Sequence, residues 1–228
     1  MDRLNLLNGL RFLDSFFPSG GFAYSSGLEA AVQGGAVRTG KDLSRYVEDW
    51  LRDGLARREA VAAWLAHEAV TSKRLEPALR ADRELDAMKL GRESRLASRQ
   101  MGRQVARIAA DQMEGCPVLR RYQAALDGGT TAGHLPVALG LVLAACGWNR
   151  QEAVAGYLYH AVVGLASAAM KLLPVGQRES QRLLQEWTEV IVSLNRSSAG
   201  PERMSSWTPV QDIYAMRHAR LESRLFRS

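Results

Sequence analysis

AVAGYLYHAVVGLASAAM, residues 153–170, is an uncharged run of eighteen residues. It nearly reaches the ~20 residues a helix needs to span a bilayer. Its Ala, Gly and Ser content and His160 inside it weigh against a lipid-facing span. The remaining reading is the buried central helix of a soluble bundle, and it sets the fold class as all-α. Asn149 and Glu152 have capping-box spacing ahead of the run, and Pro174 and Gly176 stop it. Within it Gly156, His160, Gly164 and Ala168 fall four apart. Mostly small side chains on one stripe admit a neighbouring helix at the short end of the ~8–10 Å packing range.

The rest of the chain reads as helices that could surround this one. Thr39 and Asp42 have capping-box spacing before an apolar face of Leu43, Tyr46, Val47, Trp50, Leu51 and Leu55. Gly54 is a candidate interruption, after which Val61, Trp64 and Leu65 resume the pattern. Pro77 suits the first turn of the next helix, and another is predicted over Arg92 to Met113, closed by Gly115 and Pro117. A short helix spans Val118 to Leu126, and Pro136 starts an apolar one that Gly147 closes. Leu183, Leu184, Trp187, Val190, Ile191 and Leu194 form the inner face of a further helix. Residues 195–207 read as a mobile connector, after which Thr208, Pro209 and Gln211 open a last helix. The prediction is one domain over 1–228, a bundle of roughly eight to ten helices with a flexible N-terminal segment and a C-terminal tail over 208–228.

Composition agrees. Isoleucine occurs three times against abundant Ala, Leu, Arg and Glu, which suits helices better than strands. At 46% hydrophobic residues over 228 positions the chain can bury a substantial core. A net charge of +6 favours acidic surfaces, whether nucleic acid, membrane or protein. Cys116 and Cys146 lack C-x-x-C spacing, so a reducing, cytoplasmic home is the simplest inference. The N-terminus lacks the uninterrupted apolar run of a secretory signal.

Residues 14–29, DSFFPSGGFAYSSGLE, mix rings with turn residues. Phe16, Phe17, Phe22 and Tyr24 are candidate anchors, while Pro18, Gly20 and Gly21 forbid a continuous helix. Two roles are open: packing one helix end onto another, or keeping Gly20, Gly21 and Gly27 bare for the approach of another molecule.

Chemistry-bearing residues are sparse. His67, His134, His160 and His218 share no i, i+3 or i, i+4 spacing, so a self-contained metal site is not expected. His160 reads as a hydrogen-bonded core residue, and His218 as the better candidate for an intermolecular role. No Lys-Ser or Lys-Thr follows the Gly-rich loop, no G-x-S-x-G elbow occurs, and the carboxylates are interleaved with Lys and Arg. No catalytic constellation and no cofactor site emerge. Arg95, Arg99, Arg103 and Arg107 recur every four residues as a cationic stripe, either a solvated face or a partner-binding one.

Five ordered blocks carry a resemblance. They are the loop with Pro18, Gly20, Gly21, Phe22, Ser25, Gly27, Leu28 and Glu29; Arg92 to Arg95 with Ala97 to Gly102; Gly133, His134 and Pro136; Lys171, Leu172, Pro174, Gly176 and Gln177; and Met216, Arg217 and His218 followed by Ser223 to Ser228. Together they resemble the urease accessory protein UreF family over nearly the entire chain. One departure is Ala219, where the family usually carries Glu.

The resemblance implies an all-α, non-enzymatic homodimer without nucleic-acid or membrane partners. It implies binding to the scaffold UreD, also called UreH, and recruitment of the GTPase UreG, so that nickel reaches the urease apoprotein. Candidate partner-binding residues are Glu29, Arg95, Arg99, Lys171, Pro174, Gly176, Gln177, Arg217, His218, Arg220, Arg224, Leu225, Phe226 and Arg227. Leu221 and Leu225 lie four apart, so a helical tail would join them with Phe226 in an apolar edge flanked by cations, fraying until a partner orders it. The rival from a different class is a basic helical protein that binds nucleic acid through the arginine stripe.

Overall fold

The computed structural model describes residues 2–194 and 203–228, and its regular elements are all helical. α1 (Arg3–Leu13) leads into the 14–27 loop, with one short 3-10 turn at Gly21–Ala23, and then into α2 (Leu28–Gln33). A continuous rod comes next: α3 (Gly40–Trp50), a π-helical stretch (Leu51–Glu59) and α4 (Ala60–Thr71). Beyond it lie α5 (Glu76–Met88), α6 (Arg92–Gln112), α7 (Pro117–Asp127), α8 (Leu135–Ala145), α9 (Arg150–Leu172), α10 (Gln177–Leu194) and α11 (Pro209–His218). With the rod counted once, the described residues form ten helices.

Both capping boxes close reciprocally. Thr39 accepts from the Asp42 N–H while Asp42 accepts from the Thr39 N–H, and Asn149 and Glu152 do the same at the head of α9. Each pairing satisfies two N–H groups that a helix start leaves without a partner.

The core is centred on α4 and α8, whose crossing is set by small residues. A Cβ added to Gly140 would lie 2.3 Å from the Ala63 carbonyl oxygen, so only glycine lets these backbones meet. α9 packs on α4, α8 and α10. By length and composition α9 could cross a bilayer, yet half of its apolar window is buried inside the fold.

The stripe on α9 is covered along only part of its length. Gly156 faces Leu13 and Trp148, and His160 Nδ1 pairs with the Leu13 carbonyl at 3.0 Å, the hydrogen bond expected of it. A Cβ on Gly164 would meet nothing within 4 Å, because the stripe opens there onto a cleft.

Three expectations are corrected. Gly54 does not interrupt its helix; the backbone widens into the π-helical stretch, where a Cβ on Gly54 would lie 2.5 Å from Trp50 and 2.9 Å from Thr208. Of the connector, 195–202 lies outside the described residues, but 203–207 is strapped down. Ser205 N–H donates to the Arg57 carbonyl and Trp207 N–H to the Asp53 carbonyl, each at 3.0 Å, and Met204 is buried. The tail is not one helix: α11 ends at His218, and 219–228 runs irregularly over the domain's own surface.

Candidate functional site

The loop and the chain end form one site around Glu29. Glu29 is the second residue of α2 and is buried. Its Oε1 accepts the Leu225 N–H at 2.6 Å; its Oε2 accepts the Phe226 N–H at 3.1 Å and faces His218 Nε2 at 3.0 Å. A helix through Leu225 and Phe226 would have kept those N–H groups for itself, which is why the tail is irregular here. Burial works against the charge of Glu29, but the Leu225 N–H, His218 and the Phe226 N–H outweigh it and hold the carboxyl below its usual range.

His218 joins this seat to α6. Its ring is fully buried, and Nδ1 lies 2.7 Å from Glu93 Oε2, whose other oxygen accepts from Arg224 Nη1 at 2.9 Å. The intermolecular role expected for His218 meets a ring that is already engaged within the chain, drawn inward by the carboxylates of Glu29 and Glu93.

The loop also clasps the last two residues of the chain. Ser228 O accepts from Ser25 N–H at 2.5 Å, Ser26 N–H at 2.9 Å and Ser25 Oγ at 2.7 Å, while Arg227 N–H donates to Ala23 O at 2.8 Å. Gly27, at φ +88°, brings its backbone against α11, where a Cβ would sit 2.8 Å from the Ala215 backbone. Of the two roles left open for the glycines, Gly27 serves packing, and the approaching backbone is the chain's own.

The rings divide differently from expectation. Phe16 is 94% exposed and Phe22 72%, and Pro18 also faces solvent. Phe17 packs against Phe12 with ring centroids 5.0 Å apart and tilted by 45°, and Tyr24 OH donates to Gln100 Oε1 at 2.9 Å, so those two anchor the loop. Gly20 takes φ +81° in open space, and Gly21 lies by Met101.

Lys171 joins the site from the end of α9, its Nζ 5.4 Å from the centroid of the Phe226 ring. Pro174, Gly176 and Gln177 lie exposed at the turn from α9 into α10. In the tail Phe226 is buried, while Leu225, Arg217, Arg220, Arg224 and Arg227 face solvent.

The arginine stripe is spent largely within the chain. Arg95 Nη1 donates to Lys89 O at 3.3 Å, Arg99 Nε to Asp86 Oδ1 at 2.8 Å and Arg103 Nε to Ala132 O at 2.9 Å. Asp86 also faces His134 Nε2 at 2.9 Å. Asp82 is a second buried hub, accepting from Thr131 Oγ1 and Gly133 N–H at 2.6 Å and from His134 N–H at 2.8 Å. Neither carboxylate, nor Glu93, stands out in the sequence, where each resembles its solvated neighbours.

Beside the seat lies a cleft of 180 Å³ between the 14–26 loop, the π-helical stretch, α6, α9 and α11. Phe22 and Tyr24 are among the loop residues that line it.

The UreF family model matches residues 37–188. The chain belongs to the UreF family. A urease accessory protein UreF from Yersinia enterocolitica is 32% identical over 228 residues, covering 99% of each chain. Another, from Actinobacillus pleuropneumoniae, is 30% identical over 221 residues, covering 96% of this chain and 97% of its own. UreF proteins are accessories to urease and not enzymes themselves. The tail seat, at 218–228, and Glu29 fall outside the matched 37–188 segment.

Proposed function

We propose that this UreF-family chain is the adaptor of a urease maturation complex: it docks on a UreD-type scaffold, recruits the GTPase UreG, and so serves nickel delivery to urease. The observation that carries this is exposed apolar surface at both ends of the chain. Leu4, Leu7 and Leu10 project from α1, and Val210, Ile213 and Met216 from α11, three apart in each case, with Trp207 beside them 80% exposed. Rows of this kind mark protein interaction surfaces. The tail adds an exposed Leu225 flanked by Arg220, Arg224 and Arg227. The junction of α9 and α10, with Lys171, Pro174, Gly176 and Gln177, receives the GTPase, Glu29 acts by holding the tail in its docking shape, and the protein works as a cytoplasmic homodimer.

The nucleic-acid reading loses its support because Arg95, Arg99 and Arg103 already have partners in the fold. Co-expression with a UreD-type scaffold and a UreG-type GTPase, followed by affinity capture and size-exclusion chromatography, tests the proposal. Capture of both partners is expected, with scaffold binding lost in Ile213→Asp or Leu225→Asp and GTPase recruitment alone weakened in Lys171→Ala. A chain that captures neither partner, or variants that capture both as well as the unaltered protein, would contradict it.

A further inference from the structure

Arg58, Glu59, Lys89, Tyr157 and Asp212 all line the cleft beside the tail seat. Glu59 is fully engaged: Lys89 Nζ donates to Oε1, and the Tyr157 hydroxyl donates to Oε2. Burial opposes its charge, yet Lys89 and Arg58 hold the carboxyl well below its usual range.

Arg58 is left short of acceptors. It is 4% exposed; its Nη1 makes one long hydrogen bond to Met88 O at 3.5 Å, Glu59 Oε1 and Asp212 Oδ1 stand at 3.6 Å and 4.0 Å, and its Nε has no partner among the described residues. A guanidinium carries five N–H donors, and burying them without acceptors is costly. Ser94 Oγ, on the same cleft, is also buried without a partner among the described residues. Arg58 and Glu59 are both buried although adjacent in sequence, at the end of the π-helical stretch, a geometry that recurs at functional sites. The remaining walls are largely apolar, with Leu13, Leu55, Leu90, Met101 and Leu165 among them.

We propose that this cleft binds a small monocarboxylate with an apolar body, its two oxygens on the guanidinium fork of Arg58 and its body against Leu13, Leu55, Met101 and Leu165. A planar carboxylate matches the fork in two parallel hydrogen bonds. Lys89 is already taken by Glu59, while the acid that faces Arg58, Asp212, stands off at 4.0 Å and leaves room for one anionic group on the guanidinium. A dianion such as phosphate would set its second charge against Glu59 and Asp212. An uncharged ligand would leave Arg58 without the charge-assisted pair.

Titration of the full chain with benzoate, followed through the Arg58 Nε–H signal by ¹⁵N NMR, tests the proposal. Benzamide serves as the uncharged control and acetate as the control without a body. Benzoate is expected to shift that signal saturably, with benzamide and acetate each weaker by roughly tenfold or more. Gly164→Leu fills the open side of the cleft on α9 without touching an ionic group, and it should abolish the benzoate response while leaving the helical fold intact. Arg58→Lys, which keeps the charge and loses the fork, should weaken benzoate as well. The wild-type titration decides the matter even where that variant does not fold. No saturable shift with benzoate, equal binding of benzamide, or an undiminished response in folded Gly164→Leu would overturn the proposal.

Discussion

The crossing of α4 with α8 and the seat of the C-terminal segment are both buried, and opposite chemistry holds them. At the crossing, Gly140 and the alanines around Ala63 remove side chains so that backbones touch, and attraction comes from close packing of apolar atoms. At the seat, Glu29, His218 and Glu93 bring ionisable groups inward, and attraction comes from charge-assisted hydrogen bonds to otherwise unpaired N–H groups. The first kind of contact tolerates almost no added volume and is indifferent to pH. The second tolerates a change of shape better than a change of charge. A fold divided in this way keeps a rigid core while its C-terminal segment rests on a few polar contacts that can be exchanged.

The largest effect should come from the crossing. Gly140→Leu forces a side chain against the Ala63 carbonyl and should cost about 3 kcal/mol or more, seen as a lower midpoint in chemical denaturation of the whole protein. Glu29→Ala should cost about 2 kcal/mol by stripping the Leu225 and Phe226 N–H groups and His218 of their acceptor. Its signature is early proteolytic cutting at Arg224 and Arg227 with helicity unchanged.

Acid should act more gradually. Burial lowers the affinity of His67, His134 and His160 for protons below the ordinary value of 6.5. The unfolded chain therefore binds more protons, and stability falls as pH drops below 6.5 through the lowered values. For Glu29, ordinarily 4.5, and Asp86, ordinarily 3.8, the folded values are also lowered, so their contribution is full above those values and lost as pH falls through the folded ones. Melting curves across this range should thus show a decline that begins with the histidines and steepens with the carboxylates; a melting temperature that rises on acidification would break the scheme. Smallest is Lys171→Ala, which removes a cation–π contact with Phe226 worth about 0.5–1 kcal/mol and should leave the melting temperature nearly unmoved.

The apolar half of this comparison is legible in the sequence. Capping boxes at Thr39 and Asn149, prolines opening helices and the uncharged run of α9 all report local periodicity, and the structure obeys them. The polar half is not. His218 meets Glu93 across 125 residues and Glu29 across 189, and such pairs leave no periodic trace. Glu29 stands out only through the family resemblance, and His218 reads as a candidate for an intermolecular role because it lies in a polar terminal segment. Residues 203–207 read as part of a mobile connector, yet backbone hydrogen bonds to Asp53 and Arg57, neither of which depends on residue type, hold them.

Hydrogen exchange at the Leu225 and Phe226 amides, in the intact protein and in Glu29→Gln, tests most directly whether one buried carboxylate seats the C-terminal segment. Both amides should be protected in the intact protein, and both should exchange at least roughly tenfold faster in the variant, while amides of α4 and α8 keep their protection. Amides at 225 and 226 that exchange freely in the intact protein, or protection at α4 and α8 that falls in step with them, would contradict the assignment.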